Sequence, residues 1–122
     1  MYRSSDVLFM ELLPHFQGSP RESEFDPSIR VNSLRCRQDE LTPHKGQGLR
    51  IVVVGDPFTF GFGVEERESY PRVLERQLAG VRTGNALPPV EVINAGVLAW
   101  WTDAYYLYLE EYGLALEPDL VF

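Results

Sequence analysis

The chain is poor in several of the residues on which chemistry commonly rests. It has one cysteine, two histidines and 11 Lys+Arg against 18 Asp+Glu, a net charge of −7. A single cysteine, Cys36, excludes an internal disulfide and a cysteine-rich zinc site. The shortage of positive charge argues against a nucleic-acid partner, because Lys and Arg must supply the phosphate contacts. No apolar run approaches the roughly 18 residues that a membrane-crossing helix needs. Nor does the N-terminus have the basic, apolar, small-residue order of a signal peptide, which leaves localisation open. What remains is an ordinary folding composition, 44% hydrophobic and 24% charged over 122 residues, the balance of a single soft-prior domain.

The chain divides near residue 50. Residues 1–49 read as an extended lead-in and linker lying across a domain surface, punctuated by Pro14, Pro20, Pro27, Pro43, Gly18, Gly46 and Gly48. Only Val7 to Leu13 is apolar enough for a short helix or strand, and Thr42 to Gln47 reads as linker.

Residues 50–122 have a different rhythm. Ile51 to Val54 is a continuous β-branched run ending at Gly55, which suits a strand buried on both faces. Tyr70, Val73, Leu74 and Leu78 then mark one helix face, beginning at Ser69 or Tyr70, with Pro71 in the first turn and Gly80 as its close. Turn residues follow at Gly84, Asn85, Pro88 and Pro89. Val90 to Ile93 reads as a second strand running into Asn94-Ala95-Gly96. Thr102 or Asp103 would cap a second helix carrying Tyr105, Tyr108, Leu109 and Tyr112, with Gly113 as its stop. Leu120 to Phe122 opens a third strand.

Strand, helix, strand, helix, strand predicts a three-layer α/β domain with a parallel sheet. Two crossovers are too few for a complete doubly wound sheet, so the expectation is a partial domain, truncated after the start of its third strand, with an open edge that invites self-association.

In such sheets ligands bind beyond the carboxyl ends of the strands, here Gly55 to Val64 and Asn94 to Thr102. Glycines at 55, 61 and 63 do not have dinucleotide spacing, and no Gly-Lys-Ser/Thr ends the loop, so a phosphate site is not expected. Gly55-Asp56-Pro57-Phe58-Thr59-Phe60-Gly61-Phe62-Gly63 instead resembles the first block of the SGNH/GDSL hydrolases, a family of serine esterases and lipases on a flavodoxin-like sheet. Asn94-Ala95-Gly96 resembles the second block, Pro118 to Phe122 the strand before the third, and Val31-Asn32-Ser33-Leu34 with Arg37 a lead-in found in some branches.

The resemblance implies hydrolysis of small acyl esters or acylated carbohydrates, without cofactor or metal. It places the nucleophile at Pro57, supported by Asp56, and an oxyanion donor at Gly96. Proline has neither a hydroxyl nor a backbone N–H, so the nucleophile and one oxyanion donor are both lost. The expectation is therefore an inactive pseudoenzyme. Thr59 and Asn94 are the weaker candidates in the same loops; Thr59 reads as a turn residue bonding to backbone, and Asp56 as accepting local N–H bonds in an Asx-type turn. His15 and His44 match nothing in the family pattern. Trp100, Trp101 and the three helical tyrosines read as core, and Glu65 to Glu68 as a solvated face. The alternative is a non-catalytic binding module or a decayed gene fragment.

Overall fold

The computed structural model describes residues 1–19, 27–42, 44–81 and 88–122. The expected turn at Gly84-Asn85, together with Pro20 and Pro43, lies outside them.

The first half of the chain is more than a lead-in. β1 (Tyr2–Ser5) and β2 (Phe9–Leu12) form an antiparallel hairpin in the register Tyr2↔Leu12, and β3 (Gln17–Gly18) pairs with β4 (Ile29–Arg30). These short pairs satisfy backbone groups in a segment too broken by Pro and Gly for a long element. They also deliver Leu8, Leu12, Ile29, Val31 and Cys36 into the same core as Val52, Phe60 and Ile93. The apolar residues of the two halves are thus buried against one another.

The central sheet is parallel, with β5 (Leu49–Gly55) between β6 (Val90–Gly96) and β7 (Leu120–Val121). Val52, Val53, Val92 and Ile93 are all fully buried, as expected for strands covered on both faces. β5 begins earlier than the Ile51–Val54 run suggests and includes the buried Arg50. That guanidinium bonds Glu91 Oε2 at 2.7 Å, the Leu116 carbonyl at 2.7 Å and the Thr42 carbonyl at 2.9 Å, which is why a charge is tolerated there.

The outer edge of β6 is closed by side chains. The Val92 N–H donates to Glu75 Oε2 at 2.6 Å and the Asn94 N–H to Gln38 Oε1 at 2.7 Å. Backbone donors that would otherwise template another strand are thereby satisfied.

Between β5 and β6 lie a one-turn helix, α1 (Pro57–Phe60), a 3₁₀ turn at Glu66–Glu68 and the crossover helix α2 (Tyr70–Val81). Gly80 does not close α2 but lies within its last turn, where open space around it leaves no steric reason for a break. Of the expected solvated run, Glu65 and Glu68 make a capping box and Glu66 is half-buried beside Arg30.

After β6 comes α3 (Thr102–Tyr108), with Trp101 rather than Thr102 or Asp103 at its N-cap and no side-chain cap. The helix does not stop at Gly113. It widens into a π-helical turn at Leu109–Gly113, tightens into a 3₁₀ turn at Leu114–Leu116 and ends at Glu117, whose φ is 54°. Gly113 has helical φ, and its small size serves packing instead: a Cβ there would lie 2.9 Å from Leu109 Cδ2. Trp100 and Tyr108 are core, their rings 5.3 Å apart, with the indole N–H donating to the Met10 carbonyl. Trp101 is exposed, and Tyr105 and Tyr112 are half-buried, so only part of that aromatic set is core. Among the described residues no helix is long and apolar enough to cross a membrane.

Candidate functional site at the carboxyl ends of β5 and β6

The segment after β5 carries its own start and stop signals. Asp56 is extended (φ −91°, ψ −162°), as the residue before a proline must be. Its Oδ1 accepts the Phe58 N–H at 2.9 Å, an N-cap that opens α1. Pro57 occupies the first helical position, where its missing N–H is no loss and its fixed φ suits the helix. Gly61 ends the turn in the left-handed region (φ 80°), its N–H reaching the Pro57 and Phe58 carbonyls.

Two glycines let this turn press against the sheet. A Cβ on Gly55 would collide with Thr59 Oγ1 and come within 2.8 Å of Thr59 Cβ. A Cβ on Gly96 would land on the Phe60 nitrogen and lie 2.6 Å from the Thr59 carbonyl carbon. Only a bare Cα at both positions permits α1 to sit directly on the ends of β5 and β6.

Gly96 therefore faces α1 rather than a ligand, and its N–H donates to Asn94 Oδ1 at 3.0 Å. Asn94 is fully buried, and its Nδ2 has no hydrogen-bond partner among the described residues. Thr59 is buried too. Its hydroxyl shares a 2.9 Å hydrogen bond with Tyr70 OH instead of bonding to backbone, so it is not presented as a nucleophile.

The Tyr105 phenol lies within electrostatic reach of Asp56 and Tyr70. Desolvation first, then the negative charge of Asp56 and the neighbouring Tyr70, holds the Tyr105 phenol above the usual tyrosine range. Tyr105 OH donates to the Trp100 carbonyl at 3.5 Å.

The histidines face carboxylates elsewhere, His15 toward Glu40 at 3.5 Å and His44 toward Glu117 at 3.9 Å. Cys36 is buried, with Sγ 3.6 Å from Tyr108 OH, and burial pushes its thiol up to about 11. A thiol held protonated in this way is not a nucleophile at neutral pH.

The residue that organises the loop beyond α1 is Arg37. Its guanidinium is fully buried, stacks 4.8 Å over the Phe60 ring, and donates to the carbonyls of Phe60 (2.9 Å), Gly61 (2.6 Å) and Val64 (2.7 Å), with a longer bond to Ser28 (3.4 Å). Asn32 sets up this reach by accepting the Leu34 and Cys36 N–H groups on its Oδ1, which folds 32–36 into a tight turn. The Asn32-Ser33-Leu34 and Arg37 pattern was the visible signal, but only as a likeness. Its physical role, clamping the end of α1, required the fold.

Compared with models of known protein families, the chain matches none, and no curated protein sequence matches it.

Proposed function

We propose that this chain carries an SGNH/GDSL-type hydrolase site whose ester-cleaving chemistry has been lost at residue 57. The observation that carries the reading is the place of Pro57: first residue of a one-turn helix, directly after the central strand of a parallel sheet, with Asp56 as its cap. This is where the sequence likeness puts the family's serine. The strand order supports it as well. The first parallel strand lies between the second and third, as at the start of a flavodoxin-like sheet, whose ligand crevice opens at that switch point.

The substrate class of the ancestral site would be a small acyl ester or an acylated carbohydrate. In the present chain Pro57 has no hydroxyl to attack a carbonyl, and none of the described histidines faces α1 to act as base. Hydrolysis of p-nitrophenyl acetate is expected to stay at the buffer rate, for this chain and for Pro57→Ser alike. Saturable turnover by the chain itself would overturn the loss of chemistry, and turnover by Pro57→Ser would overturn the expectation that a base is missing as well as the nucleophile. The family reading has a separate test in the source DNA. A proline codon at 57 with an Asp-x-x-His in the frame beyond codon 122 supports it, and an open frame lacking that motif overturns it.

A binding module that kept the architecture is the second reading, favoured by how well Pro57 fits: its N1 position and the extended Asp56 leave the turn unstrained. A monodisperse monomer with a cooperative melt is the result expected of such a module, and aggregation or a non-cooperative melt counts against it.

A further inference from the structure

Apart from the segment after β5, the structure has a cleft of about 330 Å³ between the β1–β2 turn and the start of α3. Its walls are mainly apolar, among them Val7, Phe9, Ala99, Trp101 and Leu107, and Asp103 is the single ionisable side chain lining it among the described residues. The volume lies at the small end of ligand sites, about 300–1,000 Å³.

Both walls are held in costly conformations. On one side the Met10 N–H bonds the Leu8 carbonyl at 2.6 Å across Phe9, whose φ is 62°, a γ-turn of the rare positive-φ kind. It leaves the Phe9 ring 73% exposed. On the other side the Trp100 N–H reaches the Val97 carbonyl at 3.4 Å, with Ala99 at φ 63° where such a turn ordinarily takes glycine. The following residue, Trp101, is 70% exposed. Two strained turns thus present two large aromatic side chains to water at the mouth of one cleft. Burial favours the opposite arrangement, and strain of this kind concentrates where ligands bind.

The charge fixes the class of ligand. The Asp103 side chain is exposed and takes no hydrogen bond or ion pair among the described residues. Among the described residues no cation lines the cleft. An anion would meet an unpaired carboxylate, in a chain of net charge −7. A cation would meet that carboxylate together with an indole face, which attracts ammonium groups through its quadrupole.

We propose that this cleft binds a small hydrophobic cation, an alkyl- or arylalkylammonium, with its hydrocarbon on Val7, Phe9 and Leu107 and its ammonium between Asp103 and Trp101. The proposal does not depend on the hydrolase reading, since no ester and no residue of α1 takes part.

The test is calorimetric titration of the intact chain with 2-phenylethylammonium, 2-phenylethanol and 3-phenylpropanoate, which share a ring and differ in charge. The ammonium should bind saturably and about tenfold more tightly than the alcohol, and the carboxylate should not bind. Asp103→Asn should bring the ammonium down to the alcohol's affinity. Trp101→Ala should weaken both, while Glu110→Gln, outside the cleft lining, should change neither affinity by more than about twofold. Both site residues are exposed, so neither substitution threatens the fold, and matching thermal melts confirm it. Equal binding of ammonium and alcohol, an unaffected Asp103→Asn, or no saturable binding at all would overturn the proposal.

Discussion

Removing the Arg37 guanidinium tests the reasoning about the loop after β5 most severely. The group is fully buried and serves the carbonyls of Phe60, Gly61 and Val64. In Arg37→Ala the Phe60 carbonyl is orphaned inside the protein, at about 1–3 kcal/mol, and the Gly61 carbonyl keeps only its 3.3 Å bond from the Val64 N–H. The cost of burying the cation disappears at the same time and offsets part of this. The expected net loss is about 2–4 kcal/mol, from charge-assisted hydrogen bonds worth about 1.5–3 kcal/mol each less that offset. A chain of this length has about 6–18 kcal/mol in all, so the loss is a large share of it. Arg37→Met keeps most of the volume over the Phe60 ring but none of the donors, and should cost nearly as much as alanine. Arg37→Lys keeps the charge but has no planar fork to bridge several carbonyls, so it should fall between. Urea unfolding gives the free energies, and hydrogen exchange locates them. The Phe62 and Val64 amides, which bond the Pro57 and Gly61 carbonyls, should lose protection first. A loss below about 1 kcal/mol for Arg37→Ala, or lysine matching arginine, would refute the clamp.

Gly96→Ala forces a Cβ against backbone atoms of Thr59 and Phe60 that cannot rotate away, and should destabilise by at least about 1–3 kcal/mol, read from urea midpoints. Gly80→Ala, with nothing near it in α2, should instead stabilise by about 0.5–1 kcal/mol, and a loss would contradict its helical placement. Alkaline pH should weaken the fold. The unfolded Cys36 thiol ionises near 9.0 whereas burial holds the native one protonated to about 11, so stability falls as pH rises through that window. An equilibrium melt series flat from pH 9 to 11 would contradict it. Pro57→Ser should keep the fold and lose only about 0.4–1 kcal/mol, because proline at the first helical position mainly restricts the unfolded chain. A collapse of the circular dichroism signal would mean that α1 depends on the ring for more than its φ.

The order of elements in the second half was legible in the sequence. A β-branched run stopped by glycine, a four-residue apolar spacing with Pro71 near its start, and a second run ending at Asn94-Ala95-Gly96 each depend on neighbours along the chain. Local chemistry therefore decides them, and β5, α2 and β6 lie where those signals put them. A local N–H bond to Asp56 was readable for the same reason, whereas its role as a helix cap was not. What the sequence does not hold locally is partnership. The two-to-four-residue strands of the first half form because distant segments supply their hydrogen bonds, and no periodicity survives in so short a run. Gly113 and Gly80 look like helix stops, but packing against Leu109 in one case and open solvent in the other let the backbone stay helical. The Gly96 N–H bonds Asn94 Oδ1, a contact the strand pattern did not specify. Nothing local marks Arg37 or Arg50 as buried; carbonyls from residues 8 to 66 positions away enclose them. Hydrophobic spacing thus determined which segments became strands and helices, whereas the satisfaction of buried polar groups, a property of contacts between segments, was decided by the tertiary structure alone.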